Sequence, residues 1–189
     1  MIRTAWIGVT IMVALVSGCG SDSLVGNPVS AGNEMRTGDK SSAPPRPREL
    51  RLDGRDPCAL VPTADWAKFY IEKPGKAKQD ETFKSPECFY SNSVGAFNIT
   101  LVMTEDIDAW RGGKRAAQPT DVAPIKGFPA ISLRRPEDRI GCDVAVDVAA
   151  GQYLLATVII DIDKVSRLPE RCDYAHQLAE SAMSTLVAL

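Results

Sequence analysis

The single histidine, His176, stands with Asp173 and Glu180 in a D-x-x-H-x-x-x-E spacing. On a helix these side chains share one face, where imidazole and carboxylates could converge on a metal ion. The simpler outcome is a solvated polar face with one i,i+4 His–Glu contact. A second acidic group, Asp143, Asp147, Asp161 and Asp163, surrounds the last predicted hairpin. Paired carboxylates could act as acid and base or bind calcium. No EF-hand loop accompanies them, and a solvent-facing strand edge, where charge discourages aggregation, explains them more simply. No Ser-His-Asp or Cys-His set can be assigned, and Gly112-Gly113-Lys114 lacks the rest of a phosphate-binding loop. The expectation is no catalytic residue, no metal and no cofactor.

Cys58, Cys88, Cys142 and Cys172 carry more definite chemistry. Without a C-x-x-C spacing, neither zinc nor a redox-active pair fits them well. Disulfides fit if the chain meets an oxidising compartment, and the N-terminus points to one. Arg3 is followed by an apolar run from Ala5 to Val16. That run is too short for a permanent membrane helix and suits a secretory signal. It ends in Val16-Ser17-Gly18-Cys19, which resembles the lipobox of bacterial lipoproteins. Residues 1–18 are thus expected to be a signal peptide. Cys19 is the expected lipidation site, anchoring the chain by lipid to the extracytoplasmic side of the cell membrane; two or three acyl chains hold stably where one does not.

Residues 19–54 have the composition of a flexible tether, rich in Ser, Gly, Asn, Pro and Arg, with few large apolar residues. Such a segment cannot offset its ordering entropy by burial, and as a coil it would span about 30–35 Å. Residues 55–189 are then one domain of usual size. The net charge of −2 leaves no electrostatic footprint for nucleic acid.

Within the domain, Asp56-Pro57 reads as a cap and first helical position, with a second short turn from Thr63 through Asp65, Trp66 and Phe69. The polar stretch from Gly75 to Ser85 reads as a loop. Cys88 to Ser91 and Ala96 to Thr104 form a hairpin with Phe97, Ile99, Leu101 and Met103 on one face, while Asn98 and Thr100 point the other way. Glu105 to Arg115 suits a short helix, acidic first and basic last. A Pro-punctuated connection from Gln118 to Gly127 precedes a strand from Phe128 to Arg134. Cys142, Val144, Val146 and Val148 then line one face of a strand that turns at Gly151. Its partner, Tyr153 to Ile162, turns Leu154, Ala156, Val158, Ile160 and Ile162 inward. Ala175, Leu178, Ala179, Ala182, Leu186 and Leu189 make the apolar stripe of a last helix. The expected fold is α+β: a twisted antiparallel sheet of about five strands with helices packed on one face and two disulfides. Cys142 lies opposite the end of the last strand, and Cys172 follows a short loop later, so both sit at one end of the sheet. The first half repeats the arrangement, which favours Cys58–Cys88 and Cys142–Cys172. Each would stabilise the fold by about 3.6 kcal/mol on a chain-entropy account.

These landmarks resemble a family of actinobacterial envelope lipoproteins, that of domain of unknown function 3558. The resemblance rests on Asp56-Pro57-Cys58-Ala59-Leu60, Cys88-Phe89-Tyr90 and Gly127-Phe128-Pro129-Ala130. It continues through Cys142 leading Val144 and Val146, Gly151, and Cys172 with Ala175, Leu178 and Ala179. The family usually has tryptophan where Tyr90 stands. The resemblance implies location and disulfides, and nothing about catalysis.

One feature suggests a surface. The side of the sheet away from the stripe carries Val102, Tyr153, Leu155 and Ile159. That apolar second face is a candidate ligand or partner surface, unless the 75–85 loop or the 118–127 connection covers it. The leading expectation is a non-enzymatic binding or interaction module with an envelope protein or polymer as partner. The alternatives are a carrier of a lipid or small apolar ligand, needing a cavity between sheet and helices, and a carboxylate-dependent hydrolase, needing two carboxylates converging in a cleft.

Overall fold

A computed structural model describes residues 45–135, 140–161 and 170–189. Its strands are β1 (Lys76–Gln79), β2 (Pro86–Asn92), β3 (Gly95–Val102), β4 (Gln118–Ile125), β5 (Phe128–Arg134), β6 (Gly141–Ala149) and β7 (Gln152–Ile160). They form one sheet in the order β1-β2-β3-β7-β6-β5-β4, with every neighbouring pair antiparallel. Two meanders, one from each half of the chain, therefore meet along β3 and β7.

The sheet has seven strands rather than about five, because both edges escaped the pattern. β1 is Lys-Ala-Lys-Gln with all four residues exposed, so it buries no face and shows no alternation. β4 contains Pro119 and Pro124. Proline is tolerated there because an edge strand needs its N–H groups on one side only. The pairing of β4 with β5 also slips between Val122 and Ile125, a bulge that discourages pairing with another chain.

Alternation places the inner face as expected. Phe97, Ile99, Leu101, Cys142, Val144, Val146, Val148, Leu154, Ala156, Val158 and Ile160 are all buried in one cluster. The helix α2 (Arg171–Leu186) lies over β6 and β7 and buries Ala175, Leu178, Ala179, Ala182 and Leu186 against them. Leu189, assigned to that stripe, is 67% exposed because the helix ends before it. Tyr174 reaches Phe69 at 5.6 Å edge-on and Phe97 at 6.2 Å, filling the space between helix and sheet. Ile162 lies outside the described residues. Each fully buried large side chain contributes about 1.5–3 kcal/mol.

Two short 3₁₀ segments, Pro57–Ala59 and Thr63–Phe69, close the β2 end of this layer. The Asp56 carboxylate accepts from the Cys58 N–H at 2.9 Å, the expected cap. Helices are not confined to one face. The short helix α1 (Asp108–Arg111) lies on the opposite side, where its Trp110 joins a second core cluster.

Both disulfides join the expected partners, Cys58 to Cys88 and Cys142 to Cys172. Gly75 touches the first. A Cβ there would stand 2.2 Å from Cys88 Sγ and 2.7 Å from the Tyr90 ring, so only glycine fits.

The domain also begins before residue 55. Residues 45–54, expected in the tether, form a strap along the β6–β7 turn. The Leu50 N–H donates to the Val148 carbonyl at 2.8 Å, and the Leu52 N–H donates to Gln152 Oε1 at 2.8 Å. Leu52 is buried in the main core, and Arg46 grips Asp147 through two bonds of 2.7 and 2.8 Å. Two leucines in a polar stretch are too few to give a periodic signal, yet Leu52 is buried in the core and Leu50 packs against it. The signal peptide, Cys19 and the earlier part of the tether lie outside the described residues. Among the described residues no helix is long and apolar enough to cross a membrane.

Candidate binding groove on the outer sheet face

The outer face alternates with the inner one and therefore carries Asn98, Thr100 and Val102 of β3, and Tyr153, Leu155, Thr157 and Ile159 of β7. Its two halves differ. At the Val102 end the chain leaving β3 folds back over the sheet. Ile107 and Trp110 from that segment, with Phe83 from the loop before β2, bury Val102, Tyr153 and Leu155 in a second cluster with Ile131, Leu133 and Ala145. A polar network pins this roof. The Trp110 indole N–H donates to the Tyr153 hydroxyl at 3.1 Å, and that hydroxyl donates to Glu105 Oε1 at 3.0 Å. Arg115 holds both Glu105 oxygens at 2.9 and 3.0 Å and lies over the Phe83 ring at 4.7 Å. Burial pushes the Glu105 carboxyl upward, but Arg115, Tyr153 and Lys114 outweigh it and hold the group below its ordinary value. Burial first, then the Glu105 charge, push the Tyr153 phenol well above its usual range.

This corrects the expected surface. Val102, Tyr153 and Leu155 are buried beneath the roof, and only Ile159, 42% exposed, meets solvent. Of the two covers considered, the 75–85 loop supplies Phe83, whereas residues 118–125 are the edge strand β4. Most of the roof comes from the segment around α1.

At the Ile159 end the face is open. A groove of about 320 Å³ runs between the roof and Arg135, with Asn98, Thr100, Leu155, Thr157 and Ile159 on its floor. Glu87 of β2 also lines it, only 2% exposed. The Thr100 hydroxyl donates to Glu87 Oε2 at 3.1 Å. Lys78 Nζ pairs with Oε1 at 3.0 Å. Asn98 Oδ1 is buried without a donor. Leaving such an acceptor unsatisfied costs about 1–3 kcal/mol, so an incoming donor would find this acceptor in place. Sequence reading turned Asn98 and Thr100 outward correctly. It had no signal for Glu87, because a buried carboxylate looks like a surface one until its cross-strand neighbours are known.

Asp143 and Asp147 of the acidic group are engaged. They belong to β6, an interior strand, so the expected solvent-facing edge does not hold for them. Asp143 is buried with Arg135 at 3.4 Å, and Asp147 is held by Arg46. Burial, reinforced by Asp106 and Asp108, keeps the Asp147 carboxyl above its ordinary value despite Arg46. Asp147, Arg46, Asp106 and Asp108 border a cleft of about 540 Å³ under the strap. There Asp106 accepts from the Gly151 N–H at 3.1 Å, and Arg111 reaches out to Asp121. The Asp161 N–H donates to the Val94 carbonyl, and Asp163 lies outside the described residues. His176 Nδ1 stands 3.9 Å from Glu180 across one helical turn, beside a shallow cleft of about 440 Å³. Among the described residues no three His, Cys, Asp or Glu side chains gather as a metal site.

Fold and groove together define a disulfide-braced antiparallel-sheet domain whose second face is half roofed. The chain belongs to the family described as protein of unknown function (DUF3558), which matches it over residues 14–185. No curated protein and no solved structure matches it.

Proposed function

We propose that this chain is a non-enzymatic module of the cell envelope, held at the outer side of the membrane by lipid on Cys19, which binds a partner through the groove on the outer sheet face. The observation that carries the reading is the half-roofed face itself. Folding covers Val102, Tyr153 and Leu155 but leaves Ile159 exposed beside a buried acceptor without a donor, Asn98 Oδ1. Two intramolecular disulfides accord with an oxidising compartment. The family match also begins at residue 14 and so includes the Val16–Cys19 motif. A carrier would need space between α2 and the sheet, where Phe69, Phe97 and Tyr174 pack. A hydrolase would need uncommitted carboxylates, whereas Asp143 and Asp147 face arginines.

The test is photo-crosslinking in the producing cell from a benzophenone side chain at Ile159, with Glu180 on the opposite face as the control position. A discrete adduct from position 159 alone supports the groove as the binding surface. Equal yields from both positions, or none from 159, would sink it. Anchoring is tested separately. Cys19→Ala should lose the acyl mass and leave the membrane fraction, and a variant that stays membrane-bound would count against the anchor.

A further inference from the structure

We infer that the ligand of this groove is a neutral, polyhydroxylated group, a saccharide unit of an envelope polymer, rather than a peptide strand or an ion. This rests on the groove being the binding site proposed above. Three observations set the chemistry. First, the strands that line the groove, β2, β3 and β7, are all interior to the sheet. Their backbone groups are spent on both sides, so a peptide cannot add as a further strand, and recognition must come from side chains. Second, the charged residues lining the groove are two of each sign, Asp80 and Glu87 against Arg115 and Arg135. A cation would meet the guanidinium groups and an anion the carboxylates, so neither gains a net field. Third, Asn98 Oδ1 is an acceptor lacking a donor, Glu87 presents a carboxylate held by Lys78 and Thr100, Thr157 brings a hydroxyl, and Arg115 spends only part of its donor set on Glu105. Hydroxyls of a sugar both donate and accept, and so can satisfy carboxylate, amide and guanidinium together. The 320 Å³ of space is on the scale of one or two pyranose rings.

The experiment is two-dimensional amide NMR of the full chain in detergent micelles, titrated with maltotriose and N,N′-diacetylchitobiose, and in parallel with trilysine and triglutamate. Shifts from a sugar confined to residues near 98, 100, 157 and 159 are expected. Asn98→Leu should weaken that binding roughly tenfold, the loss of about one good hydrogen bond. Asn98→Asp, which keeps the acceptor, should retain it, and Ile159→Arg, at an exposed position, should block it without unfolding the domain. Groove shifts from a charged peptide but not from the sugars would overturn the saccharide assignment while leaving the groove as a binding surface. Sugar shifts located elsewhere, or none at millimolar concentration, would overturn it too. Only if crosslinking from Ile159 also fails does the groove reading fall with it.

Discussion

Glu105 keeps its charge in a buried site because Arg115, Tyr153 and Lys114 converge on its two oxygens. Its carboxyl is held below the ordinary value, so the folded chain releases this proton at lower pH than the unfolded chain. The stability contributed is fully present above the unfolded value near 4.5 and fades as pH falls through the folded one. Glu105→Gln should cost about 1–3 kcal/mol at pH 7 and should flatten the acid side of the stability profile, read by urea unfolding at pH 7 and pH 3. An unchanged acid limb would mean that another group is being titrated. Gly75 allows a purely steric prediction. Gly75→Ala places a methyl 2.2 Å from Cys88 Sγ and should lower stability by about 1–3 kcal/mol through overpacking. A melting temperature equal to the parent's would show that the β1 approach gives way freely.

The elements differ in what each owes to its own residues and to its neighbours. Removing the second disulfide, by Cys142→Ala with Cys172→Ala, should cost about 2–5 kcal/mol, seen as a lower denaturant midpoint, because it frees the first turn of α2 from β6. A loss below about 1 kcal/mol would mean that packing of α2 alone holds it. The hairpins around β3 and β7, both disulfides and the stripe of α2 were legible because a buried face leaves a period of two or 3.6 in the chain. β1 and β4 were illegible for the converse reason. With Lys76, Lys78 and Gln79 exposed, or Pro119 and Pro124 within the strand, their place is decided by a neighbour's unpaired backbone rather than by their own pattern. The groove shared that fate in part. Asn98, Thr100 and Ile159 were placed outward by alternation, but the burial of Val102 and Tyr153 depends on Phe83 and Trp110, which approach from distant segments and only in three dimensions.

For the whole molecule, the strap decides where the domain starts. Leu52→Ala should cost about 2–4 kcal/mol, and a chain cut to begin at residue 55 should unfold at lower denaturant than one beginning at residue 45. Equal midpoints would mean that the strap merely rests on the surface. The two covalent loops have a consequence of another kind. Each spans 30 residues, and they follow one another along the chain without interlacing. The four thiols of Cys58, Cys88, Cys142 and Cys172 can pair in three ways, but the first of these meets the second and the third meets the fourth. A polypeptide delivered from its N-terminus through a pore would present its thiols in that same order. An oxidant joining each newly arrived pair would therefore reach the native pairing with no wrong bond to undo. Pairing in that order would need an oxidase alone and no shuffling enzyme.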